Sequence, residues 1–283
     1  MGLKPENVGR SGEPFERSWT TNDVLLYALA VGAGQDDATA ELAFTTDNSS
    51  DVDLQVLPSF ANLLGFGAGM EFAGGFDLAA VLHAEQSFEL HRPLPAEGAV
   101  RVVGTLAGIY DKGHAALVVA ESTTTDAHTG EPLATCRNTT FIRGAGGFGG
   151  ERGTSPAWPV PERAPDLTRT ATIPRDQALL YRLTGDTNPL HSDPAFAKLA
   201  GFERPILHGM CTYGYTARLL LHAVCGSDVA RFTAMSGRFS DVVYPGDTIT
   251  VQVWEDGPTV YFRTLARDVV VIDRGVLKRG FDD

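Results

Sequence analysis

Apolar and polar residues alternate along six segments of the chain, and this alternation predicts six β-strands. A period of two is typical of a strand that buries one of its faces. Three segments lie in each half of the sequence: Val100–Ile109, Ala115–Thr124, Leu133–Ile142, Thr248–Trp254, Val260–Ala266 and Val269–Ile272. We therefore expect an antiparallel sheet in each half.

An apolar stretch of helical length precedes the strands of each half. In the second half it is HGMCTYGYTARLLLHAV, residues 208–224, which would make roughly four helical turns. In the first half it is SFANLLGFGAGMEFAGGF, residues 59–76. Glycine weakens helices, so the glycines of this stretch predict a short or distorted helix. A regular helix is expected in the second half only.

Shorter signals also recur in both halves. A Leu-Leu-Tyr sequence contains Tyr27 in the first half and Tyr181 in the second, and a strand-like run reaches Pro95 and Pro245; each pair is separated by roughly 150 residues. Two matches in the same order predict a duplicated unit. The fold class is therefore α+β, with a curved antiparallel sheet and a helix across it in each repeat.

The chain divides near its middle. Residues 144–166 are rich in glycine, proline and charge, and this composition predicts a linker. The predicted repeats are residues 1–143 and residues 167–283.

Composition excludes several classes of protein. Apolar residues make up 43% of the 283 residues and charged residues 20%, as in an ordinary globular protein. No uncharged apolar run is long enough to span a membrane, and the N-terminal residues lack the apolar core of a secretory signal. The net charge is −12, and Lys and Arg are scattered, which argues against nucleic acid as a partner.

Three cysteines, Cys136, Cys211 and Cys225, share no metal-binding spacing and are interpreted as buried thiols in a reducing compartment. The last residues, KRGFDD, are not a peroxisomal address. The sequence therefore predicts a cytoplasmic protein.

The segment GDTNPLH, residues 185–191, carries the residues best suited to proton transfer. Asp186 and His191 would point about 140° apart on a helix, but Gly185 and Pro189 make a helix improbable there. A folded loop can bring both side chains to one small molecule, such as water, and Asn188 can offer an amide. The alternative is an Asx-turn loop in which Asp186 only caps the backbone.

A second segment, RPILHGMCTYG, places His208 and Gly209 at the start of the long apolar helix. N–H groups in the first helical turn lack partners within the helix and carry partial positive charge. A glycine there allows a ligand oxygen to approach the backbone, which suits a thioester carbonyl becoming an enolate. His208 itself is interpreted as a capping or packing residue.

These segments together resemble a known family. YRLTGDTNPLHSDPAFAKLAGFERPILHGMCTYGYTAR, residues 181–218, is similar to the signature of the MaoC-like, (R)-specific enoyl-CoA hydratases, the hydratase 2 family. DVLLYALAVGAG, LHAEQSFELHRPLP, DKGHAALVV and RGAGGFGG resemble the first half of its two-repeat type. The resemblance implies a double hot-dog fold, with catalysis in the second repeat and a degenerate first repeat that accommodates the acyl chain. It also implies a homodimer.

The resemblance assigns roles to individual residues. It implies that Asp186 and His191 are the catalytic pair, that Asn188 supplies an assisting amide and that Gly209 supplies the oxyanion-binding N–H. It implies acyl-CoA contacts at His83, Ala84, Lys112, Thr187, Pro189, Leu190 and Phe239.

The sequence departs from the family where Thr187 replaces a common Trp and Ala84 a common Gly. On the residues alone, Lys112 would be a solvated hairpin residue, Phe239 a core residue and His83 a half-buried strand residue.

The reaction implied is the reversible hydration of trans-2-enoyl-CoA to (3R)-3-hydroxyacyl-CoA, a lyase reaction of fatty-acid β-oxidation, on medium to long acyl chains. Asp186 and His191 would hold the water, and the residues leave open which is the acid and which the base. No metal or redox cofactor is expected, because the sequence has no His/Cys ligand cluster and no Rossmann fingerprint. Two alternatives are a hot-dog acyl-CoA thioesterase and a non-catalytic acyl-CoA-binding subunit.

Overall fold

A computed structural model of the protein describes residues 2–154, 157–159 and 162–280. Residues 155, 156, 160 and 161 of the predicted linker, and residues 1 and 281–283 of the predicted repeats, lie outside the described part. The first half contains β1 (Phe15–Trp19), α1 (Thr21–Ala30), α2 (Leu42–Thr45), α3 (Ala61–Leu64), β2 (Val81–Leu90), β3 (Gly98–Asp111), β4 (Ala115–Asp126) and β5 (Pro132–Arg143).

The second half has a similar sequence of elements. It contains β6 (Leu167–Thr172), α4 (Gln177–Tyr181), α5 (Pro194–Leu199), α6 (Gly209–Val224), β7 (Phe232–Phe239), β8 (Thr248–Asp256), β9 (Thr259–Ala266) and β10 (Val269–Arg279). The six strands predicted from alternation correspond to β3, β4, β5, β8, β9 and β10. Four strands were not among the predicted segments: the edge strands β1 and β6, and the strands β2 and β7 in the middle of the sheet.

All ten strands form one antiparallel sheet, in the order β1-β3-β4-β5-β2-β7-β10-β9-β8-β6. Each half, followed from its outer edge to the middle, has its strands in the same order: first, third, fourth, fifth, second. The two halves meet where β2 pairs with β7, with Glu85 opposite Arg238 and 2.7 Å between their charged groups. The predicted α+β fold with a similar set of antiparallel strands in each half is confirmed, and the two sets are joined in one sheet.

The two halves differ in the helix that lies on the sheet. α6 has 16 residues, and most of its side chains are buried. α3 has only four residues, as the glycines of that stretch predicted. Gly65 follows α3 directly, and a Cβ at this position would collide with the side chain of Ser122 on β4. The backbone therefore lies too close to the sheet for a longer helix with ordinary side chains.

A charged cluster links the first half to α6. Arg218 of α6 donates to the carbonyl of Val31 and to Glu41, at 3.0 and 2.7 Å, and His222 lies 2.7 Å from the same carboxylate. Burial disfavours the charge on Glu41, but the contacts with His222 and Arg218 outweigh it and lower the pKa of Glu41 to about 2. The carboxylate is therefore ionised and joins two segments distant in sequence.

The three cysteines are thiols inside the protein. Cys136, Cys211 and Cys225 are buried and unbridged, as predicted. Within the described residues, no helix has both the length and the apolar character needed to cross a bilayer.

Candidate active site

The loop between α4 and α5 is folded so that Asp186 and His191 share one cavity. Gly185 begins it with a φ of +126°, a conformation that favours glycine. The Asp186 carboxylate accepts a hydrogen bond from the Asn188 N–H at 3.1 Å, and the Asn188 side-chain oxygen accepts one from the Leu190 N–H at 3.0 Å. The loop is thus built from Asx turns, and these turns also bring the two candidate catalytic residues together.

The His191 ring is held in one tautomer. Nδ1 lies 3.0 Å from the carbonyl oxygen of Ile206, which can only accept, so Nδ1 carries the proton and donates it. Nε2 is then left with a free lone pair. Burial lowers the pKa of His191, against the opposing effects of the Ile206 carbonyl and the Asp186 charge. A neutral imidazole with a free Nε2 can act as a general base.

His208 lies against this pair. Its ring centroid is 3.8 Å from that of His191 and 4.9 Å from that of Tyr181, and its Nε2 is 3.1 Å from the backbone oxygen of Asp186. Burial, with a smaller contribution from His191, lowers the pKa of His208 to about 3. His208 therefore packs, as one of its two interpretations had it, but its side chain makes no capping bond to α6.

Gly209 is the first residue of α6, so its N–H has no acceptor within the helix. It lines the same cavity as Asp186 and His191. A Cβ at this position would lie 3.3 Å from the Phe239 ring, which is tighter than an ordinary contact. Glycine thus leaves space beside this N–H, and its assignment as the oxyanion donor stays a prediction.

The donor atoms of Asp186, His191 and His208 lie within 4.8 Å of one another, close enough to raise the question of a metal ion. The two imidazole planes are inclined by only 31° at a centroid separation of 3.8 Å. Nδ1 of His191 and Nε2 of His208 each face a backbone carbonyl, so one nitrogen of each ring is already bound. The absence of a metal from this site stays a prediction.

The cavity at this site has a volume of about 860 Å³, within the usual range for ligand sites. Most of the predicted site residues line it: His83, Ala84, Lys112, Asp186, Asn188, Leu190, His191, Gly209 and Phe239. Thr187 and Pro189 are exposed on the same loop and are not among the lining residues.

Three of the residues predicted to contact the substrate, His83, Ala84 and Lys112, come from separate parts of the first half. Ala84 lies at an irregularity in the pairing of β2 with β5, between His83 and Glu85. The His83 ring packs against Phe239 at a centroid distance of 4.7 Å, and burial lowers the pKa of His83 to about 4. Lys112 is half-buried in the β3–β4 hairpin and donates to the carbonyl of Arg152.

A buried polar network beside the catalytic loop was missed by the sequence analysis. Gln86 donates to Asn62 at 2.6 Å, and the side-chain amide of Asn138 lies 2.7 Å from Nε2 of His83. All four residues line both the main cavity and a second one of about 390 Å³, and Asp186 lies at both. The two cavities therefore meet near the reaction centre. Asn62 inside an otherwise apolar stretch was the only signal in the sequence.

Comparisons with known proteins cover nearly the whole chain. The sequence model of the MFE-2 hydratase 2 N-terminal domain matches residues 18–144, and that of the MaoC like domain matches residues 157–274. The second match contains the Asp186–His191 loop and the start of α6.

Among proteins of known name, 3-hydroxyacyl-thioester dehydratase Y of Mycobacterium tuberculosis is 44% identical over 98% of this chain and 99% of its own length. The peroxisomal enoyl-CoA hydratase 2 of Arabidopsis thaliana is 39% identical over 89% of this chain and 86% of its own length. The crystal structure of a MaoC-like dehydratase from Phytophthora capsici superimposes with a TM-score of 0.88 at 30% identity, over 99% of this chain and 98% of the other.

Proposed function

The chain belongs to the MaoC-like hydratase 2 family, with its double hot-dog fold, and we propose that it catalyses the reversible hydration of trans-2-enoyl-CoA to (3R)-3-hydroxyacyl-CoA. The observation that carries this proposal is that Asp186, His191 and Gly209, the first residue of α6, line one cavity. Hydration of an enoyl thioester needs a base near C3 and a hydrogen-bond donor at the thioester oxygen, and these groups supply both.

His191 is proposed as the group that accepts a proton from water. Its Nδ1–H is bound to the Ile206 carbonyl, so the free Nε2 can take a proton as the water oxygen forms its bond to C3. The Asp186 carboxylate accepts the second hydrogen of the same water in a hydrogen bond and thereby orients it. The sequence left the acid and base roles open, and the His191 tautomer is what favours this assignment.

Gly209 is proposed to stabilise the enolate that forms when C3 is attacked. As the C2–C3 double bond opens, negative charge moves to the thioester oxygen, which the Gly209 N–H would bind. The proton taken from water is then returned to C2 through the catalytic pair, so that H and OH are added with no change in oxidation state. The Asn188 side-chain oxygen accepts the bond from the Leu190 N–H, so within the described residues its NH₂ group is left for the ligand.

The cavity volume supports medium to long acyl chains. Both cavities border the first half's short helix α3 and meet near Asp186. The CoA part of the substrate would lie beside Lys112, His83, Ala84 and Phe239. Leu190 would contact the thioester region, and the exposed Thr187 and Pro189 would reach the substrate only at the rim.

No cofactor beyond the substrate's CoA is proposed, because hydration moves protons and no electrons. A role in fatty-acid β-oxidation is proposed, in keeping with this reaction. Three reduced, buried thiols support a cytoplasmic location. A homodimer is proposed from the family, and light scattering during size-exclusion chromatography would measure its mass.

The function can be tested with crotonyl-CoA and trans-2-decenoyl-CoA. A hydratase removes the ultraviolet absorbance of the conjugated thioester and releases no free thiol. Release of CoA, detected with a thiol reagent, would indicate a thioesterase instead, and no change in either signal would indicate a binding protein. The product should be oxidised by an R-specific and not by an S-specific 3-hydroxyacyl-CoA dehydrogenase.

A further inference from the structure

We propose that His208 is a positioning residue of the hydration site, which sets the Asp186 loop, the His191 ring and the start of α6 in one arrangement. The proposal rests on the proposed function. It concerns a residue for which the sequence indicated only capping or packing.

The first observation is a stack of three rings. His208 lies between Tyr181 and His191, at centroid distances of 4.9 and 3.8 Å. Tyr181 ends α4, His208 directly precedes α6, and His191 belongs to the catalytic loop. With 1% of its surface exposed, His208 has little freedom to move. It therefore joins the end of α4, the catalytic loop and the start of α6, which are three separate segments of the chain.

The second observation is the hydrogen bond from the His208 ring to the loop. The Asp186 backbone oxygen can only accept, so Nε2 of His208 carries the proton and donates across 3.1 Å. The neutral ring then has its lone pair on Nδ1, which is buried without a hydrogen-bond partner among the described residues. Burying an unpaired acceptor costs stability, so packing alone would favour an apolar ring at this position.

The first half of the protein has an apolar aromatic ring at the corresponding position. Phe60 directly precedes α3 as His208 precedes α6, and it packs edge-to-face against Tyr27 at 5.5 Å. The aromatic contact between a tyrosine and the residue before the helix thus occurs in both halves. Only the catalytic half uses a histidine, and what it adds is the N–H to Asp186.

The backbone of His208 has a further effect on the site. Its carbonyl accepts from the N–H groups of Cys211 and Thr212, at 3.0 and 3.2 Å, so it forms the first turn of α6. A shift of His208 would therefore also move the N–H of Gly209. Neither ring nitrogen of His208 is free to exchange protons with a ligand, because Nε2 is bonded and Nδ1 is buried. The residue acts through its neighbours.

The test compares two variants with crotonyl-CoA as substrate. His208→Phe keeps an aromatic ring between Tyr181 and His191 but removes the hydrogen bond to Asp186. We expect its kcat to fall by on the order of 10²-fold with KM changed less than threefold, because displaced catalytic groups lose rate and not binding. His208→Gln can place an N–H near the position of Nε2, and it should recover most of the lost kcat.

A matched control is His222→Phe, the same replacement at the other end of α6, where the ring contacts Glu41 and Ser227. It should lower the melting temperature but leave kcat unchanged. Wild-type kcat in His208→Phe, or losses in Phe and Gln variants that follow only their melting temperatures, would overturn the proposal. A wild-type protein that hydrates no enoyl-CoA would instead overturn the proposed function, and this inference with it.

Discussion

The two halves of the protein have the same strand order but differ in the length of the helix that lies on the sheet and in the residue before that helix. In the second half a helix of 16 residues covers the sheet, and its first residue, Gly209, lines the cavity. In the first half the corresponding helix is reduced to four residues, and the space beyond it is part of the same cavity. The second half thus carries the proposed reacting groups, and the first half borders the part of the cavity proposed for the acyl chain.

This difference has a local cause. The backbone after α3 lies against the sheet, where Gly65 and Gly104 leave no space for a Cβ. A helix in that position would cover the sheet with side chains. The two halves therefore share the strand order of the sheet and differ in the helix that lies on it.

The largest expected effect is on the catalytic pair. Asp186→Asn and His191→Gln should each lower kcat by roughly 10²–10⁴-fold, because each removes a group that orients or deprotonates the water. Steady-state hydration of crotonyl-CoA measures this, and circular dichroism checks that the variants are folded. Thr20→Ala, which removes a cap of α1 in the first half, is the comparison and should leave kcat unchanged. Normal turnover by a folded Asp186 or His191 variant would exclude the proposed mechanism.

The next effect is on acyl-chain length. Each buried CH₂ adds about 0.8 kcal/mol, or nearly fourfold in affinity, so kcat/KM should rise from C4 to about C10 substrates and then level off. Ala68 lines the cavity beyond α3, and Ala68→Leu should reduce the preference for C10 without affecting C4. A series of enoyl-CoA lengths measures both. A protein that prefers C4 and rejects C10 would show that the first half closes the cavity.

A smaller effect is expected at the start of α6. Gly209→Ala adds a Cβ 3.3 Å from the Phe239 ring, so the helix start must shift by a few tenths of an ångström. We expect kcat/KM to fall about tenfold, because the proposed oxyanion donor moves. The measurement is the hydration rate of crotonyl-CoA with melting temperature as control. An unchanged rate would remove Gly209 from the mechanism.

Much of the fold could be predicted because it depends on local patterns. The strands β3, β4, β5, β8, β9 and β10 bury alternate residues, and α6 and the glycine-broken α3 differ in composition. The edge strands β1 and β6 were not predicted, since most of their residues are exposed or half-buried and do not alternate. The strands β2 and β7 were not predicted either, because their buried positions do not alternate along the whole strand.

The candidate site also has one part that could be predicted from a local motif and one part that could not. The Asp186–His191 loop is a continuous motif, and most of the contacts implied by family resemblance line the cavity. Gln86, in contrast, bonds to Asn62 and Asn138, which are 24 and 52 residues away, and this network depends on the pairing of distant strands. The role of His208 likewise depends on how α4 and the loop pack together.

The smallest effect on activity is expected for the cluster that links the halves. Glu41→Gln should leave kcat unchanged but lower the melting temperature at neutral pH, because Arg218 loses its charged partner. A hydrogen bond to a charged group contributes on the order of 1.5–3 kcal/mol. The exposed pair Arg92–Glu131 is the matched control, and Glu131→Gln should change stability by less than about 0.5 kcal/mol.

The pKa of Glu41 is lowered to about 2. The contribution of the ionised Glu41 to the free energy of unfolding is therefore complete above the usual carboxyl pKa near 4.5, and it is lost as the pH falls toward 2. Thermal unfolding of wild type and Glu41→Gln should therefore differ most above pH 5 and converge in acid. The groups facing this carboxylate are the Arg218 guanidinium, the His222 ring and the Gly34 N–H. A difference in melting temperature that grows as the pH falls would mean that the cluster does not stabilise the contact between the halves through an ionised Glu41.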